Sequence, residues 1–138
     1  MGLKSMLKTY LLMLLAFLLL DMIWIGVFAG DFYRQALAGK LAEDVNWAAA
    51  LVFYLAYIVG IIVFAVRPAV KSGSRREAAV LGGLFGLFTY GTYAVSNLAL
   101  MESWPWLVTV VDMAWGTGVV ALLSLGAFAF ANRIPKQD

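Results

Sequence analysis

Apolar residues fall along this chain in four blocks, broken by short polar stretches. The blocks at 7–29, 47–66, 78–100 and 107–131 each hold at least 20 mainly apolar residues. That is the length a helix needs to cross a hydrocarbon core of about 30 Å at a rise of about 1.5 Å per residue. The pattern predicts an all-α membrane protein, a four-transmembrane-helix bundle forming a single domain over 1–138. No soluble domain, low-complexity tract or long linker interrupts it. Lys4 and Lys8, the apolar run after them and Val27-Phe28-Ala29 resemble the parts of a signal peptide. The first block is too long for that and three more follow, so it reads as a retained helix.

The polar stretches carry their own signals. In Gly30-Asp31-Phe32-Tyr33-Arg34-Gln35-Ala36-Leu37 the apolar residues are spaced, which predicts a short amphipathic segment lying at the interface in the first outer loop. Pro68 should end the second helix, because the residue before a proline disfavours helical angles. Pro105 lies in a tight turn and suits the opening of the fourth helix.

Basic residues set the expected orientation. Lys4, Lys8, Arg67, Lys71, Arg75, Arg76, Arg133 and Lys136 fall on one side, and only Arg34 and Lys40 on the other. Short loops rich in Lys and Arg stay in the cytoplasm. Both termini and the 71–75 loop should therefore be cytoplasmic, with 30–46 and 101–106 facing outward.

Composition narrows the chemistry. The chain is 64% hydrophobic and 13% charged, with mean hydropathy +0.90, far from a soluble domain. Its net charge of +2 is no nucleic-acid signal, because the basic residues are few and sit between apolar blocks. There is no Cys and no His. That removes disulfides, thiolate chemistry, iron–sulfur clusters, the commonest metal and haem ligand, and the usual general base near neutral pH. No metal and no cofactor is expected. A hard cation held by Asp21, Asp112 and Asn97 would have too few ligands.

Within the blocks, two acids stand out, each with a Trp one turn on: Asp21-Met22-Ile23-Trp24 and Asp112-Met113-Ala114-Trp115. With the orientation above, Asp21 lies about 12 Å below the outer end of its helix and Asp112 about 9 Å below. Tyr90, Tyr93 and Asn97 follow Gly82 and Gly86 on one stripe of the third helix. The glycines form a small-xxx-small pair that admits a close neighbour, for the fold or for a homodimer. Thr109, Asp112 and Gly116 form a second stripe, and Tyr54, Tyr57 and Gly60 point to the same interior. A charged carboxylate at this depth costs a few kcal/mol or more. The donors at hand are Tyr90, Tyr93, Asn97, Thr109, Thr117 and the indoles of Trp24 and Trp115, with no Lys or Arg deep in any span. At least one of Asp21 and Asp112 should therefore hold a proton at neutral pH. Against this stands interhelical glue, where such polar groups contribute about 0.6 kcal/mol each. Trp47, Trp104 and Trp106 fit an aromatic belt. The candidate ligand or proton site is Asp21, Trp24, Tyr54, Tyr90, Tyr93, Asn97, Asp112 and Trp115.

Leu20-Asp21-x-x-Trp24, Phe32-Tyr33, Phe53-Tyr54, Pro68-Ala69, Tyr90-x-Thr92-Tyr93-x-x-Ser96-Asn97-Leu98-Ala99 and Val111-Asp112-x-x-Trp115-Gly116, in this order and spacing, resemble the bacterial four-helix membrane proteins catalogued as domain of unknown function 2177. The resemblance covers nearly the whole chain. It implies a multi-pass protein of the bacterial inner membrane and brings no established activity. Ala94, Ser96 and Leu100 stand where the family pattern often has Asp, Thr and Thr.

Three functions fit these residues. The first is binding or transport of a small lipophilic or amphipathic molecule in the outer half of the bilayer, where a transport path through so narrow a bundle would need a dimer. The second is an enzyme acting on a lipid-like substrate, with Asp112 or Asp21 as general acid/base and Tyr93 and Asn97 orienting the substrate. The third is an accessory or assembly subunit in which the polar residues only fix helix register.

Overall fold

A computed structural model describes residues 1–134; Lys136, one of the expected cytoplasmic cations, lies outside them. Four helices are long and apolar enough to cross a membrane: α1 Leu3–Ala36, α2 Trp47–Ser72, α3 Arg75–Leu100 and α4 Trp106–Ala131.

α1 is longer than its apolar block. The expected short amphipathic segment is helical at Gly30–Ala36, but it continues α1 through a π turn at Trp24–Ala29 rather than standing apart. Glycine permits the junction. A Cβ at Gly30 would come 2.3 Å from the Ile25 carbonyl oxygen, five residues back. Beyond the turn, Leu37 is buried with Trp104 and Val108, and Phe32, Tyr33 and Ala36 pack on them. The continued helix thus holds the start of α4.

Pro68 does not end α2. The helix passes it and stops at Gly73, whose φ of +69° is left-handed, a conformation that costs glycine little. A second π turn, Ile62–Val66, lies just before the proline, and the Arg67 N–H bonds to the Ile62 oxygen. In a continuous α-helix Pro68 would leave one carbonyl without a donor and press its ring on the preceding turn. The widened turn relieves both. Ser74 then caps α3 by accepting from the Glu77 N–H at 3.1 Å, and Ser72 donates to the Glu77 carboxylate. The α2–α3 reversal is therefore tight. Pro105 immediately precedes α4 as its N-cap residue.

α3 and α4 make the closest contact. A Cβ on Gly86 would lie 2.1 Å from the Gly116 oxygen, and one on Gly82 would lie 2.8 Å from the Val120 oxygen. The Gly82/Gly86 stripe serves this backbone-to-backbone approach within the chain. Met13 and Phe17 of α1, Ile58, Ile61, Ala65 and Val66 of α2, and Val119, Val120, Leu123 and Ala127 of α4 form the main core. All buried residues of α2 fall at or after Tyr57, and none between Trp47 and Ala56. α2 is therefore packed along its second half, and its first half stands off from α3.

Candidate functional site

The two Asp-x-x-Trp motifs meet face to face. α1 presents Asp21 and Trp24 three residues apart, and α4 presents Asp112 and Trp115 in the same way. One helical turn separates the members of each pair, so both project from one face. The Trp24 and Trp115 rings stack with centroids 4.4 Å apart and planes 6° from parallel.

The indole N–H groups leave this stack in different directions. Trp115 Nε1 donates to Asp21 Oδ1 at 3.1 Å, so the acid of one motif is held by the tryptophan of the other. Tyr54, from α2, donates to Asp21 Oδ2 at 2.8 Å. Trp24 Nε1 donates to the Tyr33 oxygen at 3.3 Å, and Tyr33 donates to Asp112 Oδ1. The network joins three helices. Asp21 accepts on both oxygens, and Asp112, only 8% exposed, accepts from Tyr33. No Lys or Arg pairs with either acid among the described residues, where the ion pair is Asp31–Arg34 at the exposed end of α1.

Tyr33 is a member that sequence reasoning assigned to an interfacial loop segment and not to the site. The π turn carries it back over the start of α4. The signal available for it was the Phe32-Tyr33 pair within the family-like pattern.

Five of the expected site residues, Asp21, Trp24, Tyr54, Asp112 and Trp115, are in this network. Tyr90, Tyr93 and Asn97 make no hydrogen bond to either acid among the described residues. The Tyr90 ring rests on Gly116, where a Cβ would come 2.2 Å from it. Tyr93 packs edge-on against Trp104 at 6.1 Å. The other expected donors are spent elsewhere. Thr109 accepts from Trp104 Nε1 at 3.1 Å and donates to the Ala94 oxygen at 3.2 Å, and Thr117 donates to the Met113 oxygen of its own helix. Ala94 itself is fully buried, and its carbonyl accepts from Thr109 in the α3–α4 contact.

Beside the network, where α2 stands off from α3, lies a cavity of about 750 Å³ that is partly open. Phe17 of α1 lines it, with Ala50, Phe53, Tyr54 and Tyr57 of α2 and Thr89, Tyr90, Thr92 and Tyr93 of α3. Phe53 and Tyr93 are more than half exposed, so the opening is lateral, between α2 and α3. Tyr54 belongs both to this wall and to the network, and places Asp21 one hydrogen bond behind the cavity. The volume falls in the range of small-molecule sites, about 300–1,000 Å³.

Comparison with known proteins adds a family. The family described as "Predicted membrane protein (DUF2177)" matches residues 6–129. No curated protein and no solved structure matches the chain.

Proposed function

This chain belongs to the DUF2177 family and is a multi-pass membrane protein, and from that premise we propose that it binds a small lipophilic or amphipathic molecule in the lateral cavity, as a binding protein or as one half of a dimeric transporter. The observation that carries this reading is the cavity itself, which opens sideways along the apolar spans and has Tyr54, backed by Asp21, in its wall. A purely structural cluster of polar residues needs no such space. A membrane enzyme fits less well, because Tyr93 and Asn97, which would orient its substrate, make no hydrogen bond to either acid among the described residues.

In this reading the basic residues orient the protein in a bacterial inner membrane with both termini in the cytoplasm, and the cavity lies in the outer half of the bilayer. Asp21 accepts on both oxygens and Asp112 on one, and in this reading at least one of the two acids holds a proton.

Photo-crosslinking tests the reading. A benzophenone amino acid at Phe53, on the cavity wall, should yield a small-molecule adduct resolved by mass spectrometry of the membrane-extracted protein. The same group at Leu122, an exposed position on α4, should yield bulk lipid adducts only. Identical adducts at both positions would remove the support.

A further inference from the structure

We propose that the occupant of the lateral cavity is a hydrophobic organic cation, an ammonium or phosphonium group carrying apolar substituents. This rests on the reading of the cavity as a ligand site and goes on to name the chemistry it selects.

The hydroxyl protons point this way. Six residues that carry hydroxyls line the cavity, Tyr54, Tyr57, Thr89, Tyr90, Thr92 and Tyr93. Four of these have their protons committed to the protein. Tyr54 donates to Asp21 at 2.8 Å. Thr89 donates to the Phe85 oxygen and Thr92 to the Phe88 oxygen, each at 2.7 Å. Tyr57 and Thr89 are bonded at 2.7 Å, and because Thr89 has no second proton, Tyr57 is the donor. Where any of these four oxygens faces the space, it therefore offers lone pairs and not a donor.

The rest of the wall acts in the same sense. Rings of Phe17, Phe53, Tyr54, Tyr57, Tyr90 and Tyr93 surround the space. An aromatic face attracts a cation through its quadrupole, more strongly when both are desolvated. Among the described residues no Lys, Arg or His lines the cavity, so no cationic side chain there would hold an anion. Asp21 lies directly behind Tyr54, and the electron-rich oxygens of a carboxyl group are poorly screened in a low-dielectric surrounding. Ring faces, hydroxyl lone pairs and the oxygens of a buried acid all disfavour an anion and favour a cation over a neutral molecule of the same shape. Such a cation has two sources, a free lipophilic cation or the ammonium headgroup of a lipid.

The test uses three probes of similar shape and different charge: tetraphenylphosphonium, tetraphenylborate and uncharged triphenylmethane. Equilibrium binding is measured to the full chain in phosphatidylglycerol nanodiscs, with empty nanodiscs subtracted. Tetraphenylphosphonium should saturate a site that the other two do not fill. Asp21→Asn and Tyr54→Phe should each weaken it by about tenfold or more, and Tyr54→Phe carries the test if Asp21→Asn does not fold. Repeating the measurement in phosphatidylcholine separates the sources. Competition by that lipid identifies a headgroup ammonium, and unchanged binding identifies a free cation. If triphenylmethane or tetraphenylborate binds as well as the phosphonium, is excluded by Ala50→Trp and ignores both variants, the cavity is a ligand site and the cation assignment is wrong. If no probe binds the wild-type protein, the cation assignment and the ligand site beneath it both fall.

Discussion

Trp24 and Trp115 stack in parallel at 4.4 Å, and the Nε1–H of Trp115 reaches the acid that precedes Trp24 by one turn. The pair fastens α1 to α4 at the level of both acids. Because the rings are in face contact, neither can rotate without breaking a hydrogen bond of the network. A double-mutant cycle with Trp24→Leu and Trp115→Leu should show a coupling of about 0.5–1.5 kcal/mol beyond the area each buries, read from thermal or denaturant unfolding in detergent. Strictly additive effects would mean that the stack contributes no pairwise stabilisation.

Tyr33 and Asp112 should behave as a linked pair of a different kind. Tyr33→Phe removes the donor to a buried acid and should cost about 1–3 kcal/mol. Asp112→Asn keeps an acceptor for Tyr33 and should cost less. If Asp112 holds the proton, the infrared carbonyl band of a protonated carboxyl should disappear in Asp112→Asn and persist in Asp21→Asn. The reverse pattern would place the proton on Asp21, and no such band in the wild-type protein would contradict a protonated acid.

Glycines in the α3–α4 contact should divide sharply from those outside it. Gly116→Ala places a methyl 2.2 Å from the Tyr90 ring, and Gly86→Ala places one 2.1 Å from the Gly116 oxygen. Each should destabilise by about 1–3 kcal/mol or more, since neither the Gly116 backbone nor the root of the Tyr90 ring can yield as the far end of a side chain can. Gly118 has nothing within 4 Å of an added Cβ. Gly118→Ala should be neutral or stabilise by up to about 1 kcal/mol through helix propensity. Melting temperatures of the three variants in one detergent make the comparison.

The spans were legible because an unbroken apolar run of about 20 residues matches the thickness of a bilayer and exceeds what most buried helices of a soluble core need. That each acid shares a face with its Trp was legible as well, since the i, i+3 spacing sets the face. The sequence pattern was silent on the π turns. A five-residue register leaves no periodic signature, so Pro68 read as a stop and Gly30–Ala36 as a separate segment. That miss hid Tyr33. The stripe of Tyr90, Tyr93 and Asn97 shows a second limit. Spacing puts three side chains on one face but does not say which neighbour that face meets. Tyr90 meets Gly116 and the cavity, Tyr93 meets Trp104, and neither bonds an acid.

Orientation has its own check. A phosphatase or fluorescent-protein reporter inserted at Gly73, in the α2–α3 turn, should report a cytoplasmic position. One inserted at 39–44 should report the opposite side. An external signal at Gly73 would invert the bundle and move the cavity to the inner half of the bilayer.

Whether the space between α2 and α3 holds a small molecule is tested most directly by native mass spectrometry of the gently extracted protein. The comparison is between wild type and Ala50→Trp, which fills the cavity from its α2 wall. The wild-type protein should carry a defined adduct that collisional activation releases, and the filled variant, equally folded, should lack it. A wild-type spectrum without an adduct, or the same adduct on both proteins, would contradict a ligand site in this cavity.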